Sequence, residues 1–157
     1  MYCSLILPYL HYCIPIWGNT YKGRVAKIEI LQKRAIRIIG KAGRYSHTLP
    51  LFKEFKLLKF YDIVYCSSAV LMYRVFNNDV PYNIKNMFQE KPSIKFYNFR
   101  SKYEYYLTTT KTKLKSHSFK VFGTQIWNNL KSDIKLKKTI QSFKNAIKRS
   151  IFENYCK

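Results

Sequence analysis

Residues 61–76, YDIVYCSSAVLMYRVF, run for about four helical turns with apolar side chains almost all the way round. Asp62 and Arg74 are the only charges in the stretch. A helix of this kind has no face to give to water, so other helices must surround it. The chain is therefore expected to fold as a helical bundle with this segment at its middle. With 157 residues, 47% of them apolar, there is material for one ordinary domain or a small domain with an appendage.

The partners are legible on both sides. Residues 2–17 read as a helix broken near Pro8 and ending between Pro15 and Gly18. Asn19 and Thr20 then cap a helix from Lys22 to Ile39 that stops at Gly40. On its wheel Val25, Ile28, Leu31, Gln32, Ala35, Ile36 and Ile39 share one face. Lys27, Lys33, Arg34, Arg37 and Lys41 fan across the other. GKAGRYSHT is a loop, and Pro50 opens a short helix, PLFKEFKLL. Asn77, Asn78 and Asp79 end the apolar helix, and Pro81 starts a turn of helix, PYNIKNMF.

After residue 90 the character changes. Lys91, Lys95, Arg100, Lys102, Lys111, Lys113, Lys115 and Lys120 alternate with Phe96, Tyr97, Phe99, Tyr103, Tyr105, Tyr106 and Phe119. Periodicity is weak there, and TTTKTKLK favours extended chain, so a linker or a pair of strands is expected. Order returns at SFKVFGTQIWNNL, and the chain closes with TIQSFKNAIKRSIF, an amphipathic helix in which Ile140, Phe143, Ile147 and Ile151 form one face. The expected fold class is mainly α: a small helical bundle over residues 1–90, then a basic extended or short β segment and a C-terminal helix over 91–157.

Charge narrows the function. The chain has 29 Lys+Arg against 8 Asp+Glu, a formal +21, spread over its whole length. Such a field draws nucleic acid, anionic membrane or acidic protein. The competing explanation is an AT-rich coding sequence, which favours Lys over Arg together with Ile, Asn, Tyr and Phe. From Met1 to Tyr21 there is no Lys, Arg, Asp or Glu. Yet Pro8, His11 and Pro15 interrupt a run too short for a spanning helix of roughly 20 residues, and no signal-peptide pattern is present, so no membrane partner is expected. Cys3, Cys13, Cys66 and Cys156 are far apart and His11, His47 and His117 fall at no metal-ligand spacing from them. A reduced compartment inside the cell, nucleus or cytoplasm, fits best, with no cofactor.

Catalytic equipment is not visible. A two-metal polymerase or nuclease site needs clustered carboxylates, and the eight acids here are each isolated in sequence. No phosphate loop, HExxH or G-x-S-x-G motif occurs. Cys13 near His11 is a feeble nucleophile–base pair, better read as packed residues of an apolar helix. What remains is binding. Lys33, Arg34, Arg37, Lys41 and Arg44, with Lys27 on the same side, are candidates for successive phosphate contacts. The alternative is a merely solvated face. Lys111, Lys113 and Lys115, with their neighbouring aromatics, are candidates for single-strand contacts with base stacking, or else cover a core as an amphipathic strand pair.

The order of segments resembles a known family. LILPYLHYCIPIWGNT, KIEILQKRAIRIIGKA, HTLPLFKEFKLLKFYDI and VLMYRVFNNDVP look like the region after the palm in non-LTR retrotransposon reverse transcriptases of the jockey-like, LINE type. SFKVFGTQIWNNLKSDIK and TIQSFKNAIKRSIF resemble the C-terminal tail of the same reading frames. The chain departs from the pattern at Tyr97-Asn98-Phe99-Arg100, where the family has Asn-Thr-Arg, and at Lys131, where a proline follows W-N-x-L. The resemblance implies a thumb and post-thumb fragment of an RNA-directed DNA polymerase, with the palm and its metal-binding aspartates lying before Met1. Its implied partners are a template–primer duplex or RNA–DNA hybrid and that palm. Thumb helices flank the duplex, so the cationic face of LQKRAIRII would hold phosphates. The alternative reading is a small basic interaction domain for an acidic protein or membrane surface, or a transposon-derived remnant without a selected function.

Overall fold

A computed structural model describes residues 2–91 and 104–156. Among the described residues the chain is mainly helical, with eleven helices in sequence order. They divide into two compact units. Unit 1 comprises Met1–Ser67 and Lys148–Lys157, and unit 2 comprises Ser68–Ile147.

In unit 1 the expected broken helix is three short ones: α1 (Tyr2–Leu5), α2 (Leu7–His11) and α3 (Ile14–Trp17). Pro8 and Pro15 each sit in the first turn of a helix, where the missing N–H costs nothing. They start helices here instead of kinking one. Between α2 and α3 the backbone of Cys13 turns left-handed, φ 49°. Gly18 follows α3, and a Cβ there would lie 2.7 Å from both the Ile14 carbonyl oxygen and Val64 Cγ2, so no larger residue fits without movement. Tyr2, Leu10 and Ile14 are buried, while Leu5, Tyr9, Tyr12 and Ile16 face outward.

The long helix α4 (Lys22–Ile39) has the bounds that its periodicity and Gly40 suggest, but its N-cap position is Tyr21, with no side-chain capping bond, and not Asn19 or Thr20. It buries Val25, Gln32 and Ile36. Leu31, assigned to the same face from the wheel, is instead 60% exposed, because it lies toward the edge of that stripe. Gln32 Nε2 donates to the Tyr2 hydroxyl (2.7 Å) and to the Leu58 carbonyl (3.0 Å), tying α4 to the start of the chain and to the approach to α6. α5 (Leu49–Glu54) adds a buried Phe52. The first turns of α6 (Phe60–Phe76) contribute Phe60, Ile63 and Val64, with the Trp17 and Phe60 ring centroids 5.9 Å apart. The last turns of α11 (Ile140–Cys156) bring Ile151 and Tyr155. The Tyr155 hydroxyl accepts from the Lys59 N–H (3.0 Å) and donates to the Asp62 carboxylate.

Unit 2 is built on aromatic packing. Trp127 is wholly buried, with ring centroids of Phe76, Phe143 and Tyr105 at 5.1, 6.3 and 6.4 Å. Tyr73 stacks on Phe143 at 4.4 Å. Apart from Tyr105, these side chains come from the second half of α6, from α9 (Phe119–Asn129) and from the first half of α11. Met72, Tyr73 and Val75 of α6 are buried, so the apolar helix is covered over most of its circumference, with Tyr61 and Arg74 left exposed. α7 (Tyr82–Lys85) follows Pro81 as expected, whereas α8 (Lys113–Ser116) and α10 (Ser132–Lys135) were not foreseen.

The expected β segment is corrected for the part described. Glu90 and Tyr105 form an isolated antiparallel bridge, supported by Lys91 N–H to Glu104 O and Tyr106 N–H to Gln89 O, both 2.9 Å. No strand extends from it among the described residues, and Lys113–Ser116, which takes in the end of TTTKTKLK, is helical. The Thr112 hydroxyl accepts from Lys115 N–H, and this capping bond favours a turn of helix over the extended chain that threonine propensity suggests. Phe96, Tyr97, Phe99 and Tyr103 lie outside the described residues. Among the described residues no helix is long and apolar enough to cross a membrane.

Candidate nucleic-acid interface

The cations of α4 do not all stand in the same condition. Lys33 pairs with Glu29 one turn earlier, so part of its charge is answered within the helix. Lys27 and Arg34 are both exposed and seven residues apart, which puts them on one side of α4 about 10 Å from each other along the axis. Arg37 is half-buried, and its Nε donates to the Ser46 carbonyl at 2.9 Å.

The end of α4 explains that bond. Gly40 N–H donates to Ile36 O and Ala42 N–H to Arg37 O, while Lys41 takes a left-handed φ of 49°. The helix therefore closes by turning the chain back over its own last turn, as αL-capped helices do. Gly40 matters for another reason. A Cβ on it would stand 3.0 Å from Leu51 Cδ2, so α5 packs close because the residue has no side chain. The reversal carries Ala42 and Arg44 back beside Arg34, Arg37 and Ile38. These five residues line an open concavity of about 370 Å³.

Three arginines thus line one depression together with an apolar residue, Ile38, 77% exposed. Among the described residues neither Arg34 nor Arg44 has an ion-pair partner. Arg44 lies 5.9 Å from the centre of the Tyr45 ring, and Tyr45 is 88% exposed. Guanidinium groups present paired N–H donors that match phosphate oxygens, so the depression is chemically an anion site with an apolar side. Lys41 is exposed at the turn. Of the residues chosen from sequence, Arg34, Arg37 and Arg44 are brought together; Lys27 and Lys33 remain along the helix.

Lys111, Lys113 and Lys115 belong to unit 2 and are all exposed, on and before α8. The aromatic neighbours are not all available to stack on bases. Tyr105 is 2% exposed and packs on Phe88 and Trp127, and Phe119 packs on Phe88. Tyr105 is a core residue, and Phe119 is partly covered. Tyr106 is half exposed. Ile38 and Tyr45 escaped the sequence reading, although Arg44-Tyr45 inside a two-glycine loop carried a usable signal. Cys13 is exposed and not packed inside an apolar helix, and His11 Nδ1 lies 3.4 Å from Ser67 Oγ. Among the described residues no three His, Cys, Asp or Glu side chains gather as a metal site.

Searches of family models, curated proteins and solved structures for similarity to this chain return no match.

Proposed function

We propose that the chain binds nucleic acid through the phosphate backbone, as the thumb-like and post-thumb part of a non-LTR retrotransposon reverse transcriptase. The observation that carries the binding is the convergence of Arg34, Arg37 and Arg44 on one depression, with no ion-pair partner for Arg34 or Arg44 among the described residues. The polymerase origin rests on the sequence resemblance alone. Binding of this kind depends on charge and not on base identity, and it weakens steeply with salt.

The test uses Arg34→Gln together with Arg44→Gln. Arg37 is a poorer choice because its Nε holds the Ser46 carbonyl, and removing it would disturb the loop as well as the charge. Each lost phosphate contact flattens the log affinity against log salt by about 0.9, so the double variant is expected to lose roughly two units of slope on duplex DNA. Helical content should be unchanged. A wild-type slope would mean that these arginines are only solvated.

A second reading, an interaction domain for an acidic protein or membrane surface, draws on the exposure of Leu5, Tyr9, Tyr12 and Ile16. Excess RNA would displace an acidic partner from a shared cationic surface, and would leave an apolar attachment in place.

A further inference from the structure

We propose that Tyr45 is a stacking platform for an unpaired base, which makes the arginine depression a site for single-stranded nucleic acid. The inference rests on the phosphate-binding reading above and names its substrate more closely. Tyr45 is 88% exposed, while the loop that carries it is held at two points. Ser46 N–H donates to Gly43 O at 3.0 Å, closing a turn, and the Ser46 carbonyl accepts from Arg37 Nε at 2.9 Å. Two bonds to the residue next to Tyr45 fix the backbone from which the ring projects. A loop backbone held in this way has less freedom to lose when a ligand covers the ring.

The ring also has a cation beside it. Arg44 lies 5.9 Å from its centre and at the same time lines the depression bordered by Arg34 and Arg37. One nucleotide unit has the matching parts: a phosphate for the guanidinium groups, a sugar for exposed Ile38, and a base face for Tyr45. In a duplex the base faces are already stacked on their neighbours, so Tyr45 has nothing to gain there. An unpaired base offers its face freely, and aromatic stacking is tolerant of sequence.

The experiment measures fluorescence anisotropy of the full chain with a labelled single-stranded RNA and with a duplex of the same sequence. Tyr45→Ala is expected to weaken single-strand binding roughly 5- to 150-fold, with duplex affinity unchanged. Tyr45→Phe keeps the ring and is expected to bind both as wild type does. Wild-type single-strand affinity in Tyr45→Ala overturns the inference. Equal losses in Tyr45→Ala and Tyr45→Phe overturn it too, since the hydroxyl and not the ring would be responsible. The arginine double variant separates the two readings. If it weakens both ligands while Tyr45→Ala weakens neither, phosphate binding stands and stacking falls; if neither variant weakens either ligand, both fall. Circular dichroism of Tyr45→Ala checks the fold, and the exposure of the side chain leaves little packing to lose.

Discussion

Lys135 carries an ammonium group into unit 2, 4% exposed, 5.8 Å from the centre of the Trp127 ring and 3.4 Å from the Asn128 carbonyl. Burial lowers its pKa below the ordinary lysine value, against the attraction of Glu104. The unfolded chain then binds more protons than the folded one between the lowered value and 10.5, so this residue makes stability rise with pH across that window. Tyrosines act the other way. Burial raises Tyr105, and burial with the bond to Asp62 raises Tyr155, so their contribution is intact below 10.0 and is lost as pH climbs through the raised values. Lys135→Met is expected to raise the thermal midpoint at neutral pH and to remove the rising limb, leaving only the alkaline fall. An unaltered midpoint-against-pH curve would show that Lys135 does not titrate differently in the folded chain.

At the scale of elements, the W-N-x-L segment at the end of α9 has a physical account. Trp127 and Leu130 are buried, and Asn128 clamps the backbone of Tyr105. Its Oδ1 accepts from Tyr105 N–H at 3.0 Å and its Nδ2 donates to Tyr105 O at 2.9 Å, as a neighbouring strand would. This side-chain amide satisfies Tyr105 on both sides without a second strand, and one isolated bridge to Glu90 suffices. Asn128→Ala leaves both Tyr105 backbone groups without that partner and is expected to cost about 1–3 kcal/mol in urea unfolding. Asn128→Asp keeps the acceptor but loses the donor, and should be the worse of the two at neutral pH, improving in acid as the carboxyl gains a proton. Equal stability of Asn128→Ala and wild type would make the clamp incidental. The same scale explains α4: its glycine stop was readable from sequence, but its reach to Tyr2 and Leu58 through Gln32 was not.

The whole molecule combines a formal +21 with an apolar surface that unit 1 leaves open. Leu5, Tyr9, Tyr12 and Ile16 are 61%, 81%, 76% and 73% exposed, all within a stretch that has no charged side chain. Next to it an apolar groove of about 340 Å³ runs between α1–α2 and α4, lined by Leu5, Ile6, Tyr9, Leu10, Ile28 and Leu31 among others. Exposed apolar surface drives association that charge repulsion does not fully oppose. Tyr9→Ser with Ile16→Ser is expected to lower the concentration dependence of light scattering while leaving the thermal midpoint nearly unchanged. Scattering equal to that of the unaltered chain would place the stickiness elsewhere.

Local rules settled the helices. Proline at first turns, Gly40 after Ile39 and the apolar periodicities of α4, α6 and α11 are properties of neighbouring residues, and those three helices fall where these rules put them. The cationic stripe of α4 was equally local, since helical spacing alone puts Lys27 and Arg34 on one side. The arginine depression was not. It exists because Lys41 takes a left-handed turn and Arg37 captures the Ser46 carbonyl, and both depend on how α4 ends against α5. The burial of Tyr105 likewise belongs to Phe88 and Trp127, which are distant from it along the chain. A sequence reports spacing along the chain directly, but which side chains meet across loops is fixed only when the core closes around them.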